Sequence, residues 1–128
     1  LHPKEVYDDQ DRAALHDIAA RHPNLTIGGD TGALLRDCAF VVTQNSGVGF
    51  DALIMEKPVV LYAQSDFHHI ALNVAQMGAA KALERAANHK PPFAKYLDWF
   101  LRRTSLDMMA PDADDRLLAA MKKGGWPV

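Results

Sequence analysis

Six residues in one short stretch have the types and spacing to hold a phosphorylated ligand: Gln44, Asn45, Ser46, Gly47, Gly49 and Asp51. Gly47 and Gly49 let the backbone come close to another group. They are expected to leave amide N–H donors free at the first turn of a helix, where the dipole favours negative charge. Ser46 adds a hydroxyl. Asp51 falls about one turn into the helix, where a carboxylate can accept hydrogen bonds from sugar hydroxyls. The same residues also suit a turn that binds nothing, because Ser46 is a good N-cap and glycines serve tight helix–strand packing. Short glycine-containing turns are decided only by their context.

That context begins with composition. The 128 residues suit one domain, residues 1–128, with apolar and charged fractions ordinary for a globular protein. A net charge of −2 gives no general attraction to nucleic acid or to an anionic membrane. The basic residues are scattered apart from Arg102-Arg103 and Lys122-Lys123, and Arg102-Arg103 reads as a solvated end or a weak lipid contact. The single cysteine, Cys38, permits no disulfide framework and fits the core of a protein from a reducing compartment. No run approaches the roughly 20 apolar residues of a membrane span, and no stretch reads as a signal peptide. His68 and His69 are adjacent, so on a helix they would face different directions. No carboxylate or thiol stands at zinc-site spacing from them, and no metal is expected.

Taken in order, Asp8 or Asp9 can cap a helix over about 10–21 with Ala14, Leu15, Ile18 and Ala19 on one face. His22-Pro23-Asn24 ends it, and Leu25-Thr26-Ile27 reads as a short strand closed by Gly28-Gly29-Asp30. Thr31 can cap a helix carrying Leu34, Leu35 and Cys38. Phe40 to Val42 have no polar alternation, as in a strand covered on both faces, and the helix after the Ser/Gly turn runs to about Met55. Glu56-Lys57 turns the chain into a second buried strand, 58–62. Asp66 to Gly78 reads as a polar entry and a short helix with Ile70, Leu72, Val74 and Met77. Residues 79–92 read as a helical turn before a loop. Phe93, Tyr96, Leu97, Phe100 and Leu101 mark an amphipathic helix with Trp99 off its stripe, and a last helix over 113–123 ends at Gly124-Gly125.

The alternation α-β-α-β-α-β implies parallel strands joined by right-handed crossovers, hence an α/β fold with a Rossmann-like doubly wound sheet and extra C-terminal helices over 91–128. Ligands bind such sheets outside the carboxyl ends of the strands. Residues 28–31, 44–49 and 64–69 fall at those ends. His2 makes a fourth cluster if a strand precedes it, since Leu1-His2-Pro3 looks like the cut end of an element and the chain reads as a fragment.

His2-Pro3-Lys4, residues 23–27, residues 37–53 and residues 57–62 resemble the donor-binding half of bacterial capsular polysaccharide biosynthesis proteins. Those include the Kdo transferases that start the glycolipid linker of capsules, and they are similar to sialyltransferases that also use CMP-sugars. The resemblance implies the C-terminal half of a GT-B fold, whose second Rossmann-like domain holds the nucleotide-sugar. Its His-Pro motif falls on His2-Pro3, with the histidine at the CMP phosphate or the transferred sugar's acid group. Its Gln-x-Ser-x-x-Gly segment falls on Gln44, Ser46 and Gly49. Its acidic residue, usually Glu, falls on Asp51 at the ribose hydroxyls, one methylene shorter.

The function so implied is donor binding, with CMP-Kdo favoured, in a cytoplasmic glycosyltransferase of capsule or surface-polysaccharide assembly. Peripheral association with the inner membrane is left open, no cofactor is implied, and no nucleic acid is bound. The general base and the glycolipid or polysaccharide acceptor site belong to the missing N-terminal domain, so this fragment alone is expected to be inactive. A UDP-sugar transferase or epimerase half and a non-catalytic α/β binding module stand as alternatives. The phospho-receiver version of that module is disfavoured, because Thr43-Gln44-Asn45 stands where a phosphorylatable Asp is needed.

Overall fold

A computed structural model describes residues 6–127. The chain forms two compact units, one ending at Asp37 and the other beginning at Cys38. In the first, α1 spans Asp9–Arg21 and starts with a reciprocal capping box. Asp8 Oδ1 accepts from the Asp11 N–H at 2.7 Å while Asp11 Oδ2 accepts from the Asp8 N–H at 3.4 Å. The face carrying Ala14, Leu15, Ile18 and Ala19 contains no buried residue. Helix α2, Thr31–Asp37, is capped by Asp30, not by the expected Thr31, because Asp30 Oδ1 accepts from the Ala33 N–H at 2.7 Å.

Leu25-Thr26-Ile27, expected as a strand, forms no strand among the described residues. Three residues supply few ladder bonds. They run straight into Gly28 and Gly29, whose φ angles of 99° and 118° bend the backbone out of extended geometry. The expected α-β-α-β-α-β order therefore lacks its first strand among the described residues.

The second unit is built on three parallel strands, β1 (Val41–Thr43), β2 (Val59–Leu61) and β3 (Leu72–Asn73), in the spatial order β1-β2-β3. The register sets Val41 beside Val59 and Thr43 beside Leu61, and then Val60 beside Leu72. All three residues of β2 are fully buried, which is why its sequence has no polar position. Helix α3, Val48–Ile54, makes the crossover from β1 to β2. After β3 come α4 (Val74–Met77), α5 (Ala79–Ala86), α6 (Phe93–Trp99) and α7 (Ala113–Lys123).

Both faces of β2 are covered, whereas Val42 of β1, expected in a strand covered on both faces, is exposed at this sheet edge. Val60 and Leu72 pack with Ala82 and Ala86 of α5, with Phe40, Val74 and Met77 closing the edge of that cluster. Val59 and Leu61 point the other way by strand alternation, to the face where α3 packs on β1 and β2. The small side chains of Ala82 and Ala86 allow α5 a close approach. The fold class is thus α/β with a parallel, Rossmann-like sheet.

Two local departures have physical reasons. Leu72, expected on a helix, lies on β3, where it pairs with Val60 of β2 and is buried. The helix after β3 starts only where the Asn73 side chain accepts from the Ala75 N–H at 2.9 Å. The aromatic helix keeps α geometry only to Trp99 and then widens into a π turn over Phe100–Thr104. The wider turn carries Leu101, expected on the buried stripe, into solvent.

The end of α3 is a Schellman motif. Lys57 N–H donates to Ala52 O at 2.8 Å and Glu56 N–H to Leu53 O at 3.1 Å. Glu56 holds the left-handed position with φ 56°, whereas the equivalent motif ending α7 places Gly125 there with φ 81°. Replacing Glu56 by Gly removes the Cβ penalty and is expected to stabilise the protein by about 0.5–1 kcal/mol, read as a raised urea midpoint with an unchanged slope.

Candidate functional site

The loops leaving β1 and β2 at their carboxyl ends run side by side. Tyr62 N–H donates to Thr43 O and Ala63 N–H to Gln44 O, both at 3.0 Å, so pairing continues past the strands and holds 44–49 next to 62–65. Two of the sequence-expected clusters therefore share one edge of the sheet. The 28–31 cluster belongs to the N-terminal unit, and His2 and Pro3 lie outside the described residues.

The Ser/Gly turn uses most of its own donors. Ser46 N–H donates to Thr43 Oγ1 at 3.2 Å, and Ser46 Oγ accepts from the Val48 N–H at 3.3 Å. Ser46 O accepts from Gly49 N–H, and Gly47 O accepts from Phe50 and Asp51 N–H. The expectation of several free amides at the start of α3 is therefore corrected: a seven-residue helix closes its first turn on itself. What stays available among the described residues is the N–H of Asn45, the N–H of Gly47 and the Ser46 hydroxyl proton. Gln44, Asn45 and Asp51 are exposed, and the Asp51 carboxylate has no hydrogen-bond or ion-pair partner among the described residues.

The two glycines have different reasons. A Cβ on Gly49 would stand 3.0 Å from Phe67 Cε2 and 3.2 Å from Thr43 Cγ2, so this position is glycine because α3 is pressed against β1 and Phe67. Gly47 has φ −54°, is exposed, and a Cβ there would meet nothing within 4 Å. Neither packing nor backbone conformation requires glycine at 47.

Beyond Phe67 an aromatic series runs from the turn to the C-terminal helices. Phe50 of α3 lies 5.8 Å from Phe67 and 5.2 Å from Phe100 between ring centroids; Phe100 lies 5.8 Å from Tyr96, and Tyr96 lies 5.7 Å from Trp99. Trp99 meets His69 edge-on at 5.3 Å, and His69 stacks on His68 at 4.3 Å. His68 Nδ1–H donates to Ser65 O, which fixes the short 3₁₀ turn His68–Ile70. His89 Nε2 donates to Ile70 O at 2.8 Å and ties the loop after α5 to the start of β3.

At the end of this series is a cavity of about 330 Å³ lined by Asp66, His69, Trp99, Phe100, Thr104 and Ser105. Sequence reasoning placed Asp66 and His69 in a strand-end cluster but missed Thr104 and Ser105. The signal for them was slight: two hydroxyl residues directly after an aromatic helix. Tyr96, at the back of the cluster, has its phenol pushed above the usual tyrosine value by burial and, second, by the Asp66 carboxylate. A cavity of about 410 Å³ on α5 and its exit, lined by Lys81, Glu84, Arg85, Asn88, His89 and Lys90, lies away from the strand ends. No group of three or more His, Cys, Asp or Glu among the described residues could hold a metal ion. No described helix is long and apolar enough to cross a membrane.

With this geometry in view, the sequence model of the capsule polysaccharide biosynthesis protein family matches residues 14–108, well over half of the chain. The chain belongs to that family. The matched span contains the whole parallel sheet, the Ser/Gly turn and the aromatic series. Comparison with curated proteins and with solved structures gives no match. The role of this capsule biosynthesis protein accordingly lies in capsule synthesis.

Two outcomes follow. Gly49→Ala is expected to cost about 1–3 kcal/mol in chemical denaturation, from overpacking against Phe67 and Thr43, while Gly47→Ala stays within about 0.5 kcal/mol of the parent. In a spectrophotometric titration one of the three tyrosines should ionise later than the others. Because folding raises the Tyr96 value, its share of stability is complete below about pH 10 and is lost as pH rises through the folded value. Asp66→Asn should move the late component down.

Proposed function

We propose that this chain is the donor-binding domain of a glycosyltransferase in capsule assembly and that it holds a nucleotide-sugar, with CMP-Kdo the favoured donor. The observation that carries the reading is Gly47: an exposed glycine at the carboxyl end of a parallel strand, required by neither packing nor conformation. A position kept free of a side chain for neither internal reason suits the close approach of a ligand to the backbone. Beside it stand the Gly47 N–H and the Ser46 hydroxyl as donors to phosphate, with Asp51 as an unpaired acceptor for ribose hydroxyls.

In this reading Ser46 and the Gly47 amide stabilise the charge that grows on the nucleotide phosphate as the bond to the sugar breaks. Gln44 and Asn45 shape the loop leading to them. The domain corresponds to the C-terminal half of a GT-B fold and is cytoplasmic, peripheral at the inner membrane. The general base and the site for the glycolipid or polysaccharide acceptor belong to another domain, so donor binds here without turnover.

Calorimetric titration with CMP, UDP and AMP tests this. CMP is expected to bind selectively, with Ser46→Ala and Asp51→Ala each weakening it by about 1 kcal/mol or more. Gly47→Val is expected to abolish binding while the fold is kept. Tighter binding of UDP would overturn the CMP donor and favour a UDP-sugar enzyme. CMP affinity unchanged by Gly47→Val would overturn the site.

A further inference from the structure

We propose that the cavity formed by Asp66, His69, Trp99, Phe100, Thr104 and Ser105 binds the ring of a neutral pyranose. This inference does not depend on which nucleotide the Ser/Gly turn holds. Its volume of about 330 Å³ falls within the roughly 300–1,000 Å³ of small-molecule pockets, and it combines apolar walls with a few convergent polar groups.

The chemistry of the lining selects the ligand. Trp99 is 37% exposed and held from beneath by Tyr96 and edge-on by His69, so it is a fixed aromatic wall with accessible surface. The electron-rich face of an indole attracts polarised C–H groups, which a pyranose presents on its ring faces. The hydroxyl groups of Thr104 and Ser105 already donate to Phe100 O, at 2.7 and 2.9 Å, so toward a ligand they offer lone pairs only. Asp66 is a carboxylate and accepts only. Three acceptor groups beside an aromatic wall match a ligand that is rich in hydroxyl donors.

The same groups disfavour the competitors. A phosphate or a sugar acid would bring a second negative charge to Asp66, and neither Lys nor Arg lines the cavity, which leaves the ring nitrogens of His69 and Trp99 as its side-chain donors. A purely apolar ligand would leave Asp66, Thr104 and Ser105 desolvated and unpaired. The π turn has a function in this arrangement. At the end of this turn the Thr104 and Ser105 hydroxyls both donate to Phe100 O, and the two residues line the cavity together with the indole.

The test uses the Trp126→Phe variant of the full chain, which leaves Trp99 as the only tryptophan. Its emission is followed during titration with the methyl glycosides of glucose, galactose, N-acetylglucosamine and N-acetylgalactosamine, with Kdo as the acidic comparison. A saturable change is expected with at least one neutral glycoside and none with Kdo. Asp66→Asn and Thr104→Val, both at exposed positions, should each raise the dissociation constant, by about tenfold for Asp66→Asn. A corresponding UDP-sugar that binds more tightly than its methyl glycoside identifies the ring as that of a donor; equal affinity identifies it as part of a glycan. Silence with every neutral glycoside up to tens of millimolar overturns the proposal. So does Kdo binding as well as the neutral sugars, or an affinity that neither substitution alters. None of these readouts involves CMP, so failure here is distinct from failure of the nucleotide site.

Discussion

The contact on which the site depends is the approach of α3 to β1 and Phe67 at Gly49. A side chain at that position would stand 3.0 Å from the Phe67 ring, so the helix can lie this close only because residue 49 has none. That approach sets where the Ser46-Gly47 corner emerges from the sheet. It also sets where Phe50 meets Phe67 and Phe100, and through them the position of Tyr96 and Trp99. One van der Waals constraint thereby positions both the turn at the strand ends and the aromatic wall beyond it.

The rigidity behind this contact comes from β2. Val59, Val60 and Leu61 are buried on both faces, with α5 on one side and α3 on the other, so the strand cannot shift without exposing apolar surface on both sides. Polar anchoring is local and modest by comparison. The ion pairs Asp98–Arg102 and Asp112–Arg116 are helical i,i+4 pairs in solvent, of a kind that contributes little. The more consequential polar bonds are the ones that stop and start elements: Asn73 at α4, the paired bonds around Glu56, and His89 on Ile70 O.

Two different chemistries then occupy neighbouring loops. The corner at Ser46 and Gly47 offers donors, which suit an anion; the cavity at Asp66, Thr104 and Ser105 offers acceptors, which suit hydroxyls.

The sequence by itself determined the elements whose patterns are local. The apolar run of β2, the capped span of α1, the strand–turn–helix at 41–54 and the stop at Gly124-Gly125 are all legible because each is set by side-chain period or by a residue fitted to one backbone conformation. It also carried the six residues of the Ser/Gly stretch and the family resemblance. Only tertiary structure decided which of those residues are free. Ser46 and the first amides of α3 pair with one another, and Gly49 is taken by packing while Gly47 is not, a distinction invisible in a string where both are glycine. Leu25 to Ile27 look like a strand, but a strand exists only with a partner, and pairing is not encoded locally. Thr104 and Ser105 join Asp66 and Trp99 because a π turn rotates the end of a helix toward a loop some forty residues earlier in the chain, and that geometry arises from packing rather than from any spacing along the sequence.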